Sequence, residues 1–273
     1  MNTTEIAELV LGMAELTEMP ADSGIIVPGE NIKKIFAGID MATPELLLAQ
    51  QFQADLVLSH HPQTGGQEVF FHRVMERQIE KMVEAGVPIN KAQKALRERV
   101  AGIERSNHVT NYDRVASAAR LMQFPYMNLH IPVDIITENV LQLHLDKALV
   151  DRSKATLKDV IDVLQEIPEY EKALTRPAIR VGSESDYAGR VLVLMAGGTN
   201  GGEQVFKAYF EAGVGTIICM HVPEDVRKAV IEQNIGNVIV AGHMASDSIG
   251  MNIVCKELEG KGLEVVRMGG IVG

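Results

Sequence analysis

Two stretches of this chain, far apart in sequence, run through the same succession of elements. KIFAGIDMATPELLLAQQFQADLVLSHHP, from Lys34 to Pro62, and RVLVLMAGGTNGGEQVFKAYFEAGVGTIICMHVP, from Arg190 to Pro223, each give an apolar run, a short loop, a helical segment, a second apolar run, a histidine and a proline. The order reads as strand, helix, strand, with the two strands parallel, because a crossover helix is what brings a chain back in the same direction. Such a unit buries its helix against a sheet, so a repeated one predicts two related α/β lobes. His60 aligns with His221, and Pro62 with Pro223, but the doubled histidine occurs only in the first copy.

Around the copies the pattern keeps alternating. Strands are expected at Ile35 to Ile39, Leu56 to Ser59, Val191 to Met195 and Thr216 to Met220, with helices from Pro44 to Phe52, N-capped by Thr43, and from Gly202 to Ala212. Amphipathic helices are predicted over Phe71 to Ala85, Ala92 to Val100 and Asp113 to Met122. An insert from Asp134 to Leu174 contains Thr156 and Asp159, a capping pattern that opens the helix LKDVIDVLQEI. A helix from Glu224 to Gln233, the strand VIVAG, a helix from about Ala245 to Glu259 and the strand LEVVRM complete the chain. The fold class expected is α/β, with internally duplicated lobes, mixed sheets and flanking helices. The first lobe is placed at residues 1–130, completed by the C-terminal segment, and the second at 131–273.

Bulk properties exclude several functions. The chain has a net charge of −10, which argues against nucleic acid as the main partner, since that affinity comes from Lys and Arg on phosphates. Its two cysteines, Cys219 and Cys255, lie in apolar runs, so neither a disulfide framework nor a cysteine zinc site is expected, and the cytoplasm is the natural compartment. The N-terminal MNTTEIAELVLGMAEL carries Glu5, Glu8 and Glu15 and no basic leader, unlike a signal peptide. No run approaches the ~18 apolar residues of a membrane span.

Three places put metal-ligand residue types at the ends of expected elements. They are His60-His61 at a strand exit, Asp113 in SNHVTNYD, and His243 with Asp247 in AGHMASD, where four-residue spacing gives one helix face. Imidazole and carboxylate suit Zn, Mn, Fe or Co. The alternatives are a hydrogen-bonded turn for a single histidine, a helix cap for Asp113 and a surface pair for His243 and Asp247. What favours a common site is position, because functional groups in α/β sheets gather at the carboxyl ends of strands. Asp40, ending the strand IFAGID, is a candidate proton-handling or ligand-supporting carboxylate, with a turn role as its alternative. The glycine-rich MAGGTNGGE lacks the GK[ST] of a P-loop and the GxGxxG pattern, and it reads as a tight turn. His221 reads as structural, and His72, His130 and His144 have no convergent partners in the pattern.

The run from Lys34 to Pro62, the TNYD element and the late GHMASDSIG together resemble the NGG-interacting-factor-three-like proteins, also called GTP cyclohydrolase I type-two homologues. The resemblance implies two intertwined α/β lobes, a toroidal homohexamer and a dinuclear divalent-metal centre. Its implied ligands are His60, His61, Asp113, His243 and Asp247. Two departures stand out: the family's late glutamate is the shorter Asp247 here, and His108 is displaced from the TNYD element by one residue. The expected function is a metal-dependent hydrolase of a nucleotide or other phosphorylated small molecule, with a non-enzymatic metal-binding scaffold as the alternative. No residue in the chain points to a cyclohydrolase substrate.

Overall fold

The computed structural model describes residues 1–273. In chain order the elements are α1 (Thr3–Met13), β1 (Gly24–Val27), β2 (Lys34–Gly38), α2 (Thr43–Gln51), β3 (Leu56–Ser59), α3 (Gly65–Val69), a 3-10 segment (Phe71–Glu76), α4 (Arg77–Glu84), α5 (Ile89–Asn107), α6 (Arg114–Met122) and β4 (Tyr126–Asn128). There follow α7 (Ile131–Leu149), α8 (Leu157–Leu164), α9 (Pro168–Lys172), β5 (Ala178–Val181), β6 (Val191–Leu194), α10 (Glu203–Glu211), β7 (Thr216–Cys219), α11 (Glu224–Gln233), β8 (Asn237–Val240), α12 (His243–Gly260) and β9 (Glu264–Met268). No helix is long and apolar enough to cross a membrane.

The first compact unit comprises Met1–Val74, Ile103–Ile136 and Asp247–Gly273. Its five-stranded sheet has the order β1-β4-β3-β2-β9. β2 runs parallel to β3 and to β9, and β3 parallel to β4, while the edge strand β1 is antiparallel and bulged. Every residue of β3 is buried, as expected of a central parallel strand covered on both faces, which explains its unbroken apolar sequence. The core on one face gathers Phe36, Leu46, Ala49, Val57, Val115, Ala119, Phe124 and Tyr126. The expected cap of α2 shifts by one residue: Thr43 is already helical, Ala42 takes the cap position, and the Ala42 N–H donates to Glu45 Oε2 at 2.7 Å.

Gly38 ends β2 where a side chain has no room. A Cβ there would lie 2.4 Å from Met41 Sδ and 2.9 Å from the Met268 carbonyl oxygen. Methionine can yield but backbone cannot, so Gly38→Ala is expected to destabilise the protein by about 2 kcal/mol through overpacking, measurable by denaturant titration.

The second unit comprises Met75–Gly102 and Thr137–Ser246. Its four-stranded sheet has the order β5-β8-β7-β6 and repeats the β1-β4-β3-β2 part of the first: β6 is parallel to β7, β7 to β8, and the edge strand β5 is antiparallel with a bulge. The duplication legible in sequence is thus a duplication of sheet topology, with β9 the strand that has no counterpart. Where β9 would sit, β6 leaves an open edge, and two α7 side chains four residues apart occupy it. Gln142 Oε1 accepts the Val193 N–H at 2.9 Å, and Glu138 Oε2 accepts those of Met195 and Ala196 at 2.9 and 3.0 Å. Lys81 Nζ neutralises Glu138 at 2.9 Å. Polar side chains here do for an edge strand what a neighbouring strand would do.

The insert between the copies is helical from its start, where α7 runs without a break for 19 residues. The capping pattern is present as expected: Thr156 accepts from the Asp159 N–H, and Asp159 accepts from that of Thr156. Gly198, Gly201 and Gly202 all take positive φ in the turn before α10, where Asn200 Oδ1 accepts the Gly202 N–H.

Candidate metal centre

β3 ends at Ser59, but its hydrogen-bond ladder continues. The His60 N–H donates to Gly38 O at 2.8 Å and that of His61 to Ile39 O at 2.9 Å, so both imidazoles rise from backbone fixed by β2. On the other side the Leu129 N–H donates to Ser59 O, which brings the end of β4 alongside. β4 leads directly to His130 and the first turn of α7, where Asp134 stands four residues on and the His130 carbonyl accepts the Val133 and Asp134 N–H groups. A carboxylate in the first turn is favoured by the positive end of the helix dipole. α12 contributes the late pair. Gly242, at φ +102°, turns the chain into it, and a Cβ there would lie 2.9 Å from the Thr175 carbonyl oxygen. His243 is its first residue and Asp247 lies one turn on, on the same helix face.

In the first unit, the ligating atoms of His60, His61 and His130 lie within 4.8 Å of one another, as do those of His60, Asp134 and Asp247. Each histidine is oriented through Nδ1. His60 Nδ1 donates to Leu129 O at 3.1 Å, that of His61 to Asp40 Oδ1 at 2.9 Å, and that of His130 to Asp22 Oδ2 at 2.6 Å. A carbonyl or carboxylate only accepts, so the proton sits on Nδ1 and the lone pair of the neutral ring on Nε2. This is the bracing found behind metal-binding histidines. Asp22 is fully buried and is itself held by the Ser23 hydroxyl.

The three Nε2 atoms face two carboxylates. His60 Nε2 lies 3.4 Å from Asp134 Oδ1 and 3.6 Å from Asp247 Oδ1; His61 Nε2 lies 3.3 Å from Asp247 Oδ2; His130 Nε2 lies 3.7 Å from Asp134 Oδ2. Most of these gaps are long for hydrogen bonds. They suit neighbouring ligands of one ion, since two donors bonded at ~2.1 Å sit roughly 3.0–3.4 Å apart at octahedral to tetrahedral angles. Within this buried cluster His60 Nε2 and Asp134 Oδ1 make no hydrogen bond at all. Buried polar atoms left this way are costly unless a ligand completes them, and imidazole with carboxylate is a fitting donor set for a divalent transition metal.

Electrostatics agree. Burial alone would lower the pKa of His60, but the Asp247 and Asp134 carboxylates outweigh it and push the value up to about 10. His130 is likewise raised, against its own desolvation, by Asp134 and Asp22. The carboxylates draw positive charge into the cluster, and a metal ion taking that place displaces protons from the rings. Both cysteines are unsuited to such a role, because burial pushes the thiol of Cys219 up to about 12 and that of Cys255 to about 11.

The sequence candidates are thus placed as follows. His60, His61 and Asp247 come together, and Asp40 stands behind His61, where Gln63 Nε2 also donates to it at 2.9 Å. Asp113 lies apart, at the exposed start of α6, and pairs with Arg120. His108 is exposed at the end of α5, and His144 pairs with Glu166 at 3.2 Å. In the second unit the ring of His243 lies 5.1 Å from that of His221, the histidine aligned with His60. Sequence reasoning missed His130, Asp134 and Asp22. The His-x3-Asp spacing of His130 and Asp134 matches that of His243 and Asp247 and was the available signal; Asp22, in an irregular segment, gave none.

No family model matches the chain, and no curated protein matches it. Among solved structures it is similar to a NIF3 superfamily protein from Sphaerobacter thermophilus, with 36% identity, 99% of this chain and 98% of that one covered, and a TM-score of 0.95. Reduced HcgD from Methanocaldococcus jannaschii shares the fold at 15% identity, a TM-score of 0.60 and coverage of 98% and 97%. A Bacillus cereus protein related to NIF3 shares it at 10% identity, a TM-score of 0.56 and coverage of 98% and 96%. With identity this high along nearly the whole length of the Sphaerobacter protein, the chain belongs to the NIF3 superfamily, the NGG-interacting-factor-three-like proteins.

Proposed function

We propose that the protein is a metal-dependent hydrolase with a dinuclear divalent-metal centre, acting on a nucleotide or other phosphorylated small molecule. The observation that carries the metal reading is the set of His–Asp gaps of 3.3 to 3.7 Å around His60, Asp134 and Asp247. His60, His61, His130, Asp134 and Asp247 would hold the ions. Zn, Fe, Mn or Co bound there would lower the pKa of a water and stabilise charge developing on a phosphoryl oxygen. Asp22, Asp40 and the Leu129 carbonyl keep the three rings in one tautomer, and the exposure of Asp40 beside His61 supports a role for it in exchanging a proton with an incoming substrate. The cytoplasmic location, which rests on the cysteine usage, and the ring-shaped homohexamer, which rests on the family resemblance, are part of this reading.

The test is turnover by the fully metallated chain of phosphate monoesters, cyclic nucleotides and nucleoside triphosphates including GTP. Activity that His60→Ala abolishes and Asp40→Asn lowers by about 10–100-fold is expected. Absence of turnover across the panel, with metal bound, would overturn the hydrolase and favour a metal-binding scaffold.

A further inference from the structure

We infer that the open edge of β6 is a docking site for an extended segment of another protein, laid parallel to β6 with an acidic residue opposite Arg190 and apolar residues after it. The duplication of the sheet specifies this occupant. Ile35 of β2 pairs with Leu56 at the start of β3, and Val191 of β6 with Thr216 at the start of β7, so the two strands correspond residue by residue and Lys34 corresponds to Arg190. Beside β2 the edge is filled by β9, in parallel register from Lys34 opposite Glu264 to Gly38 opposite Met268. Lys34 Nζ meets Glu264 Oε1 there at 3.1 Å, and Val265 and Val266 follow. Beside β6 the corresponding cation has no carboxylate: the Arg190 guanidinium is exposed and donates to the Ala85 carbonyl at 2.9 Å.

The side chains on the edge of β6 imitate a strand. One residue of a parallel neighbour donates to one carbonyl and accepts from the N–H two residues on. Gln142 does both with a single side-chain amide, donating to Val191 O at 3.3 Å and accepting from the Val193 N–H at 2.9 Å. These bonds flank Leu192, the counterpart of Phe36, so Gln142 stands where Val266 stands in the first unit. Glu138 Oε2 takes the N–H groups of Met195 and Ala196, as Gly269 O takes those of Ile39 and Asp40. The two substitutes differ in how firmly they are held. Glu138 is 2% exposed and paired with Lys81, so the edge stays closed at that end. Gln142 is half-buried, its bond to Val191 is long, and its Nε2 also donates to Asp146 Oδ1 at 2.9 Å, a partner that keeps the amide when it swings aside. Beyond Gln142 lies a cavity of about 740 Å³, lined by Gly189 to Leu192 and by Leu145 and Leu149 of α7. An acidic residue at the Arg190 end and apolar residues against the two leucines complete it, with main-chain bonds to Val191 and Val193 supplied by strand addition.

The experiment uses a fluorescein-labelled peptide that copies β9 and its approach, KGLEVVRM from Lys261 to Met268, titrated into the full-length chain and followed by anisotropy. Saturable binding is expected. Arg190→Glu in the protein should weaken it by about tenfold or more, Glu264→Lys in the peptide should do the same, and the two changes together should restore it to within about threefold. The peptide change leaves the fold of the protein untouched. Gln142→Ala should tighten binding by about threefold or more, because the peptide then displaces no side chain. Hydrogen exchange should show new protection confined to residues 189–193. No saturable binding to the chain or to its Gln142→Ala variant, binding indifferent to the charge reversals, or protection at β2 in place of β6 would overturn the inference. Should the peptide instead break up an oligomer of the chain, and Arg190→Glu do likewise, the edge belongs to a second copy and docking of another protein is overturned.

Discussion

Asp247→Asn is expected to reduce bound metal from about two equivalents per chain to one or none. The substitution keeps the shape of the side chain and removes its charge. Both of its oxygens face imidazole nitrogens, at 3.6 Å for His60 and 3.3 Å for His61. Thermal stability should register the loss. An ion present at 100 times its dissociation constant stabilises by about 2.7 kcal/mol, which at about 2–4 °C per kcal/mol predicts a fall in midpoint of roughly 5–10 °C. Most of that difference should vanish when both proteins are melted in chelator. Elemental analysis of untagged protein and melts with and without metal check it; a variant that retains two equivalents would show that Asp247 is no ligand.

The second large effect is expected away from the metal. Glu138→Ala removes the acceptor of two buried N–H groups at the end of β6 and the counter-ion of Lys81. Each unsatisfied buried donor costs about 1–3 kcal/mol, while Lys81, 21% exposed, can turn to solvent, so a loss of about 3 kcal/mol is predicted. The unfolding midpoint should drop by roughly 6–12 °C, with metal content of the folded protein unchanged. Glu138→Gln, which keeps an acceptor, should recover part of the loss. Near-native stability of the alanine variant would show that the open edge of β6 is satisfied in another way.

How much of this was legible in the sequence depends on how local the cause is. The βαβ repeat, the parallel pairing and the placement of His60, His61 and Asp247 follow from short patterns: apolar runs of strand length, a proline in the first turn of a helix, and histidines at a strand exit. The short antiparallel edges were not legible. β1 and β5 have four residues each, and their partners lie over 50 residues away, so nothing nearby marks them as strands. The same distance hid half of the candidate centre. His130 gains its meaning from Asp22, 108 residues earlier, and from His60, 70 residues earlier, contacts that exist only once β4 has docked on β3. Asp113 shows the converse. Its motif matches the family pattern, yet its carboxylate pairs with Arg120, seven residues on, and faces solvent. A motif specifies which residue types are present; the sheet decides which of them meet.

The most direct test of the central claim is anomalous diffraction at the metal absorption edge from crystals of the reconstituted protein. The account predicts peaks within about 2.0–2.3 Å of His60 Nε2, an Asp134 oxygen and an Asp247 oxygen, with Asp113 free of density. A metal bound at Asp113, or no peak beside His60 in metal-loaded crystals, would contradict it.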